Sequence, residues 1–303
     1  MALIGSISWP AERFGPWAAV FQYDLCALWR SKLIRLWLVA SALLTVLLVM
    51  SNWVQMSDAS VIASLLFPYL VLPWFFVVIV LGVTPVAGAQ AGSLADGILC
   101  RPVTRHGYLL ATWAARLVTV LGVYLLVTVP AILVVALANR PVADDAVTAY
   151  GIITSLFVVG LVLGLVVSLG FFAGTVLRRP LLAVVVLVFA WYPVNLVLSA
   201  FSLEELSPIS LSQAIPTQLR QELFPKEEEP AAQASPADMA AISGMLSSFG
   251  KAFAAPQPAK ARGDFFNSDK YEDFSLLRVT LGYALPALAV LALAVLSFYR
   301  RDL

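Results

Sequence analysis

The feature that most constrains this chain is a series of long apolar runs separated by short polar connections. The runs cover residues 36–53, 61–83, 117–138, 150–176, 181–202 and 277–299. A helix needs about 20 mainly apolar residues to cross the hydrocarbon core of a bilayer. Charged residues make up only 12% of the sequence, whereas a soluble domain has about 25%. We therefore predict an all-α polytopic membrane protein with six transmembrane helices, forming one transmembrane domain over residues 1–303.

The distribution of lysine and arginine among the connections predicts the orientation. The segment before the first span has four basic residues, whereas the connection around 56–60 has one charged residue, Asp58. The C-terminus carries Arg300 and Arg301 directly after the last span. Because basic residues favour cytoplasmic connections, both termini are expected in the cytoplasm, and the long segment 203–276 is expected outside. The N-terminus lacks the pattern of a cleavable signal peptide, so the first span is expected to direct insertion.

The N-terminal segment, residues 1–35, carries a helical pattern of its own. Between 15 and 35, apolar side chains such as Trp17, Phe21 and Leu28 recur at helical spacing, with polar and basic residues largely opposite them. This pattern is typical of an amphipathic helix that lies in the membrane interface. The alternative is that these residues are simply the first turns of the first span.

The segment 203–276, between the fifth and sixth predicted spans, also contains helical patterns. Its first part can form one or two short amphipathic helices, divided by Pro208 and Pro216, and residues 239–253 carry an apolar stripe at helical spacing. We predict a large helical external loop. It is expected to be a cap over an exit path, a docking surface for an outside partner, or a helix resting on the membrane.

Signatures of common catalytic and metal sites are absent from the sequence. It has no phosphate-binding loop of the G-x-x-x-x-G-K-[ST] kind, no H-E-x-x-H and no G-x-S-x-G, and His106 is its only histidine. No charged residue lies near a span centre, which argues against a proton-driven carrier. We expect no enzyme activity and no metal or cofactor bound by this chain. Because its charges are sorted by position and not pooled in one patch, no nucleic-acid partner is expected.

Small and polar residues inside the later spans indicate helix packing and a candidate substrate path. The fourth predicted span has two G-x-x-x-G patterns, which let helix backbones approach closely. Their glycines are Gly160, Gly164, Gly170 and Gly174. These patterns are explained either by helix packing within one subunit or by an interface between two subunits. In the fifth predicted span, Tyr192 and Asn195 either face a substrate path or satisfy the carbonyls that Pro193 leaves free.

The connection between the second and third predicted spans, residues 84–108, is the most informative polar segment. Its central sequence is AGSLADGILCRPVTRHGYLL, residues 91–110. Leu94, Ile98 and Leu99 predict the apolar side of a short helix, and Ser93 is a suitable N-cap. An Arg-Pro pair then ends that helix, and a new helix climbs into the third span. A short helix across the cytoplasmic mouth is a natural contact for a soluble partner.

This segment resembles the coupling segment of the type-two ABC exporter (ABC-2 type) permeases. In that family, an acid–Gly–Thr–Leu sequence is followed by a leucine-rich turn, by Arg-Pro-Val-Ser/Thr-Arg and by a helix that returns to the membrane. This chain has Gly92-Ser93-Leu94, Ile98-Leu99-Cys100 and Arg101-Pro102-Val103-Thr104-Arg105. Where the family has glutamates before the glycine, this chain has Gln90 and Ala91, and its nearby acid is Asp96. The basic N-terminal helix, the six spans and the C-terminal Arg-Arg-Asp-Leu are similar in layout.

The resemblance implies that residues 89–108 dock on a separate ATPase subunit, which binds ATP and Mg²⁺. The implied coupling residues are Gly92, Ser93, Leu94, Asp96, Arg101, Pro102 and Arg105. It also implies a second permease subunit, identical or different, membrane lipids as surroundings, and a place in the bacterial cytoplasmic (inner) membrane. Separately from the resemblance, the apolar spans without fixed charges favour lipid-like or amphipathic cargo, or a mechanical role on a membrane-bound partner.

Two other functions are consistent with the residues. A non-transporting membrane scaffold would hold an envelope partner through residues 203–276. A sodium-coupled carrier would predict internal repeats with paired broken helices, and the sequence has no persuasive repeat.

Overall fold

The structure, a computed structural model, describes residues 16–71, 73–89, 105–138, 147–177, 179–200, 207–220 and 276–299. Within these ranges the regular secondary structure is entirely helical, which confirms the predicted all-α class there. The helices are α1 (Pro16–Arg30), α2 (Lys32–Asn52), α3 (Asp58–Leu70), α4 (Trp74–Ala89), α5 (Arg105–Leu137), α6 (Ala149–Val176), α7 (Pro180–Ala200), α8 (Pro208–Leu219) and α9 (Leu276–Tyr299).

Five helical stretches in the described ranges are long and apolar enough to cross a membrane. They are Lys32–Asn52, Asp58–Thr84, His106–Leu137, Ala149–Val176 and Leu276–Phe298. Helix α7 contributes a shorter apolar stretch, Pro180–Trp191. The protein therefore has the helices of a multi-pass membrane protein, with five candidate spans in the described part of the chain. The sixth span, 181–202, remains a prediction.

The N-terminal helix and the first span are separate helices. Helix α1 ends at Arg30, and Ser31 has an extended backbone before α2 begins. The side-chain oxygen of Ser31 accepts a hydrogen bond of 3.3 Å from the Ile34 amide, which satisfies one of the free N–H groups at the start of α2. The chain thus turns at Ser31, and α1 does not simply continue the first span.

The second predicted span, 61–83, consists of two helices. Helix α3 ends where the Val71 amide bonds to the Phe67 carbonyl, and α4 begins at Trp74. Pro73 lies between them, and a proline both lacks an N–H group and disfavours helical backbone in the residue before it. The span is therefore a broken helix.

Helix α6 is the centre of the described bundle. It packs most extensively on α4 and α9, and it also contacts α3, α5, α7 and α8. Buried residues such as Val166, Ser168 and Phe171 lie on different faces of this helix, as expected for a helix surrounded by others. In contrast, α2 presents Leu36, Val39 and other apolar side chains on an exposed face, which suits contact with lipid.

Candidate functional site

The predicted coupling segment lies largely outside the described residues. This applies to Gly92, Ser93, Leu94, Asp96, Arg101 and Pro102. Arg105 is the first residue of α5, and Ala89 is the last residue of α4. The structure therefore describes the helix that enters the segment and the helix that leaves it. The contacts that hold these two helices in the bundle are the part of the candidate site that the structure describes.

Helix α5, which leaves the segment, is fastened to α1 by an ion pair. Arg116 Nη1 lies 3.8 Å from Asp24 Oδ2, and the two side chains are only 10% and 20% exposed. Arg116 Nη1 also donates a hydrogen bond of 2.9 Å to the Thr112 carbonyl, whereas Arg116 Nε has no hydrogen-bond partner among the described residues. A charge this poorly solvated is stabilised only by nearby opposite charge and hydrogen bonds. Asp24 is therefore the counter-charge that allows Arg116 to lie inside the packed helices.

Apolar contacts extend the same junction along α5. A Cβ atom on Gly122 would lie 3.5 Å from the Trp29 ring, so the absence of a side chain at Gly122 leaves room for that indole. Leu28 packs against the main core of the bundle. Helix α1 thus lies along α5 from Arg116 to Gly122, and the N-terminal helix is docked on the span that follows the coupling segment.

Helix α4, which enters the segment, is packed backbone to backbone on α6. A Cβ atom on Gly170 would lie 3.0 Å from the Gly82 Cα, and one on Gly174 would lie 3.1 Å from the Val83 Cα. Both distances are shorter than nine in ten real Cβ contacts, and a Cβ atom on Gly174 would also lie 2.5 Å from the Val83 carbonyl oxygen, closer than real Cβ atoms come. The G-x-x-x-G pattern of Gly170 and Gly174 therefore serves contact between two helices of the same subunit.

The other G-x-x-x-G pattern has different neighbours. Cβ atoms on Gly160 and Gly164 would lie 3.6 Å from side-chain carbons of Leu121 and Leu117, which is ordinary van der Waals contact. These two glycines face α5, and they leave space beside it instead of forcing the backbones together. The same sequence pattern thus has two structural roles in one helix.

For the two residues of the candidate substrate path, the structure describes only the helix to which they belong. Tyr192 and Asn195 lie on α7, on either side of Pro193; their side chains lie outside the described residues. Beside them, the Trp191 ring packs on Phe75 with centroids 4.0 Å apart, which holds α7 against α4.

At the other end of α6, helix α8 is anchored by its last residue. The Thr148 amide donates a hydrogen bond of 2.9 Å to the Leu219 carbonyl, and a Cβ atom on Gly151 would lie 2.5 Å from that carbonyl oxygen. Helix α8 also packs on α3. The start of the predicted external segment is therefore a fixed part of the bundle.

Sequence reasoning missed the partners at these junctions. Asp24 and Arg116 lie 92 residues apart in the sequence, and no motif or spacing relates one to the other. Gly82 and Gly151 carry no motif that marks them. A cation so near an apolar run was the one available signal, because such a charge requires a partner.

No group of three or more histidine, cysteine or acidic side chains that could hold a metal ion occurs within the described ranges. A comparison with protein-family models finds no match for this chain, and a comparison with curated proteins finds none either.

Proposed function

We propose that this chain is the permease subunit of an ABC-2 type ATP-driven transporter, working as an exporter. A separate ATPase, which binds ATP and Mg²⁺, docks on residues 89–108. The observation that carries the proposal is the Gly92–Arg105 sequence, because it resembles the coupling segment of that family and lies between two firmly held helices. The chain itself is not an enzyme.

The junctions around the segment support transmission of movement into the bundle. A displacement of residues 89–108 reaches α4 at its last turn and α5 at its first turn. Helix α4 is in backbone contact with α6 through Gly82 and Gly170, and α5 is tied to α1 through Arg116. Because packed helices shift as units, a movement of the segment would displace α4 together with α6, and α5 together with α1.

The position of α8 supports a sixth span at α7. Helix α7 starts just after the end of α6, whereas α8, which follows α7, is bonded to Thr148 at the start of α6. The chain must therefore travel back along the length of α6 between these points. Helix α7 has 21 residues, which is about 30 Å of helix and enough to cross the hydrocarbon core.

The rest of the proposal concerns topology and assembly. Six spans place both termini on the same side of a bacterial inner membrane, and the distribution of lysine and arginine makes that side the cytoplasmic one. A second permease subunit, identical or different, completes the transporter, and lipids surround it.

A scaffold function is the second candidate, and one observation favours it. Helix α8 begins the segment 203–276 and is fixed on α3 and α6, so a partner bound to this segment would be held rigidly. In that case the segment 203–276 binds an envelope protein, and residues 89–108 bind no ATPase.

A pull-down of the tagged protein from its own cells in mild detergent separates the two functions. The parent is compared with a variant in which residues 92–99 become a Gly/Ser linker. The matched control replaces residues 229–236, eight residues of the external segment, with the same linker. We expect a soluble ATPase with the parent and the control, and its loss from the 92–99 variant. An ATPase that stays bound to that variant would contradict the coupling role of residues 89–108. Envelope proteins lost only from the 229–236 variant, with no ATPase, would favour the scaffold.

A further inference from the structure

A stripe of polar side chains on α5 faces the N-terminal helix. Tyr108, Thr112 and Arg116 are spaced four residues apart, so they lie along one face of α5. Tyr108 and Arg116 are each within electrostatic reach of Asp24 on α1. Thr112 and Arg116 are both buried. The junction between α1 and α5 therefore contains a cluster of four polar side chains.

Two donors in this cluster have no acceptor. Arg116 Nε and Thr112 Oγ1 are buried, and neither has a hydrogen-bond partner. The Tyr108 hydroxyl lies close to that of Thr112, but the two are not in hydrogen-bonding geometry. Because a buried donor without an acceptor is unfavourable and uncommon in native proteins, these two atoms indicate that the helices also adopt another arrangement, in which both donors are bonded.

An acceptor for both donors lies just out of reach. The Asp24 carboxylate has two oxygens, which together accept several hydrogen bonds. Its Oδ2 lies 3.8 Å from Arg116 Nη1, whereas an N–H···O bond between charged groups is about 2.7–2.9 Å long. The carboxylate is therefore about 1 Å too far away for a direct bond to Arg116.

The way α1 is joined to the bundle permits a movement of this size. A single residue, Ser31, separates α1 from α2, and α1 makes far fewer contacts with α2 than with α5. Asp24 lies seven residues before Ser31, which is about 10 Å of helix. A rotation of α1 by about 5° about Ser31 thus moves Asp24 by about 1 Å.

We infer that Asp24, Thr112 and Arg116 form a latch between α1 and α5, and that the structure describes its open arrangement. In the closed arrangement α1 turns about Ser31, and the Asp24 carboxylate accepts hydrogen bonds from Arg116 and Thr112. The inference concerns only the contact between α1 and α5, so it holds whether or not an ATPase binds residues 89–108. Because Tyr108 ends the segment 84–108 and belongs to the same stripe, the latch lies where a movement of that segment enters α5.

Fluorine NMR tests the latch on the full-length protein in lipid nanodiscs. The protein is labelled with fluorotryptophan, and Trp29→Phe identifies the signal of Trp29. This residue is a suitable reporter because its ring lies against Gly122 of α5, so its surroundings change when α1 moves. We expect the parent to populate both arrangements, giving two Trp29 signals, or one averaged signal if exchange is fast.

Two substitutions of Asp24 remove the closed arrangement for opposite reasons. Asp24→Glu adds one C–C bond of about 1.5 Å, so the carboxylate reaches Arg116 without a rotation of α1. Asp24→Asn removes the charge that draws α1 towards Arg116. In both variants we expect the ratio of closed to open arrangement to fall at least about tenfold, because a hydrogen bond to a charged group contributes about that factor.

Thermal melting separates the two variants. Asp24→Glu should melt at or above the parent temperature, since it makes the missing bond, and Asp24→Asn should melt below it. Cys26→Ala is the matched control, because Cys26 is exposed on the same helix. It should reproduce both the Trp29 signals and the melting temperature of the parent. The signals of the other tryptophans, unchanged in position, show that each variant is folded.

Three results would overturn the inference. The first is a single Trp29 signal in the parent at the position that both Asp24 variants share. The second is a pair of Trp29 signals whose ratio is the same in the parent and in both variants. The third is an Asp24→Glu protein that melts no higher than Asp24→Asn, because no gap would then exist for the longer side chain to close.

Discussion

Arg116 and Asp24 show how one residue pair determines where a helix lies. Arg116 belongs to the candidate span His106–Leu137, and a lone cation there is unfavourable by a few kcal/mol even on insertion scales. The carboxylate on α1, 3.8 Å away, offsets that cost only if α1 docks on α5. The position of the N-terminal helix is therefore coupled to the charge of Arg116.

The first prediction concerns this pair. Asp24→Asn leaves Arg116 with no counter-charge from α1, and we expect the free energy of unfolding to fall by about 2 kcal/mol, since the pair is mostly but not fully buried. Exchanging the charges, with Asp24→Arg and Arg116→Asp together, should recover part of that loss. Thermal melting of the purified variants as a double-mutant cycle measures the coupling.

The control for the pair is Lys32→Gln, which removes an exposed charge at the start of α2. Its melting temperature should match that of the parent, because exposed charges contribute little. An Asp24→Asn variant that melts with the parent would mean that the ion pair does not hold α1.

At the scale of helices, the contact between α4 and α6 depends on glycine. The Gly82 and Gly170 backbones approach so closely that a Cβ atom on either would lie 3.0 Å from the Cα of the other. This contact holds the helix that leads into residues 89–108. Gly160 and Gly164 lie on the same helix but meet only side chains.

The second prediction compares the two kinds of glycine. Gly170→Ala forces α4 and α6 apart, and we expect it to lower the free energy of unfolding by about 1–3 kcal/mol, as overpacking does. Gly164→Ala should leave stability unchanged or raise it by up to about 1 kcal/mol, because alanine favours the helix more than glycine does. Denaturant unfolding of the two variants measures the difference, and equal losses of stability would contradict the assignment.

These elements also show how far the sequence could predict the molecule. Apolar length predicted where the long helices lie, and five helical stretches are long and apolar enough to cross a membrane, because such a crossing needs about 20 apolar residues. Apolar length did not reveal the helix end near Pro73, because the stretch is apolar on both sides of it and a proline can also lie inside a continuous helix, as Pro130 and Pro286 do. The sequence could not distinguish the roles of the two G-x-x-x-G patterns either. Each role depends on the residues that face the glycines across the helix contact, and tertiary packing determines which residues those are. Of the predicted coupling residues, the structure describes the position of Arg105 only, as the first residue of α5, so their role remains a prediction.

At the scale of the whole molecule, the two ends of α6 define two sides of the bundle. Helix α8 is bonded to Thr148 at the start of α6, whereas α4 passes Gly170 and Gly174 near the end of α6 on its way to residues 89–108. With α7 as a span, α1 and α8 lie on opposite sides of the membrane. Without it, the chain has an even number of crossings between them, and they lie on the same side.

The third prediction uses this parity. Cys26 is exposed on α1, so in a Cys100→Ser chain a membrane-impermeant maleimide should label it only after the cells are permeabilised. In a chain with Cys26→Ser and Cys100→Ser, the additional Arg220→Cys change, just after α8, should be labelled in intact cells. If both positions are labelled from the same side of the membrane, α7 does not cross it. If Cys26 is labelled in intact cells and position 220 only after permeabilisation, the orientation is the reverse of the predicted one.

The central position of α6 also governs how the protein can be made. Helix α4 packs most extensively on α6, and α3 packs most extensively on α8, yet both of these partners are synthesised later. During synthesis α3 and α4 must therefore wait in the membrane, or beside an insertion factor, until residues 149–176 and 208–219 have emerged from the ribosome. Helix α9, which also packs on α6, is synthesised later still, after the long segment 203–276. The bundle can thus assemble fully only after α6 has been inserted. Chains that end before α6 should be substrates for membrane quality control.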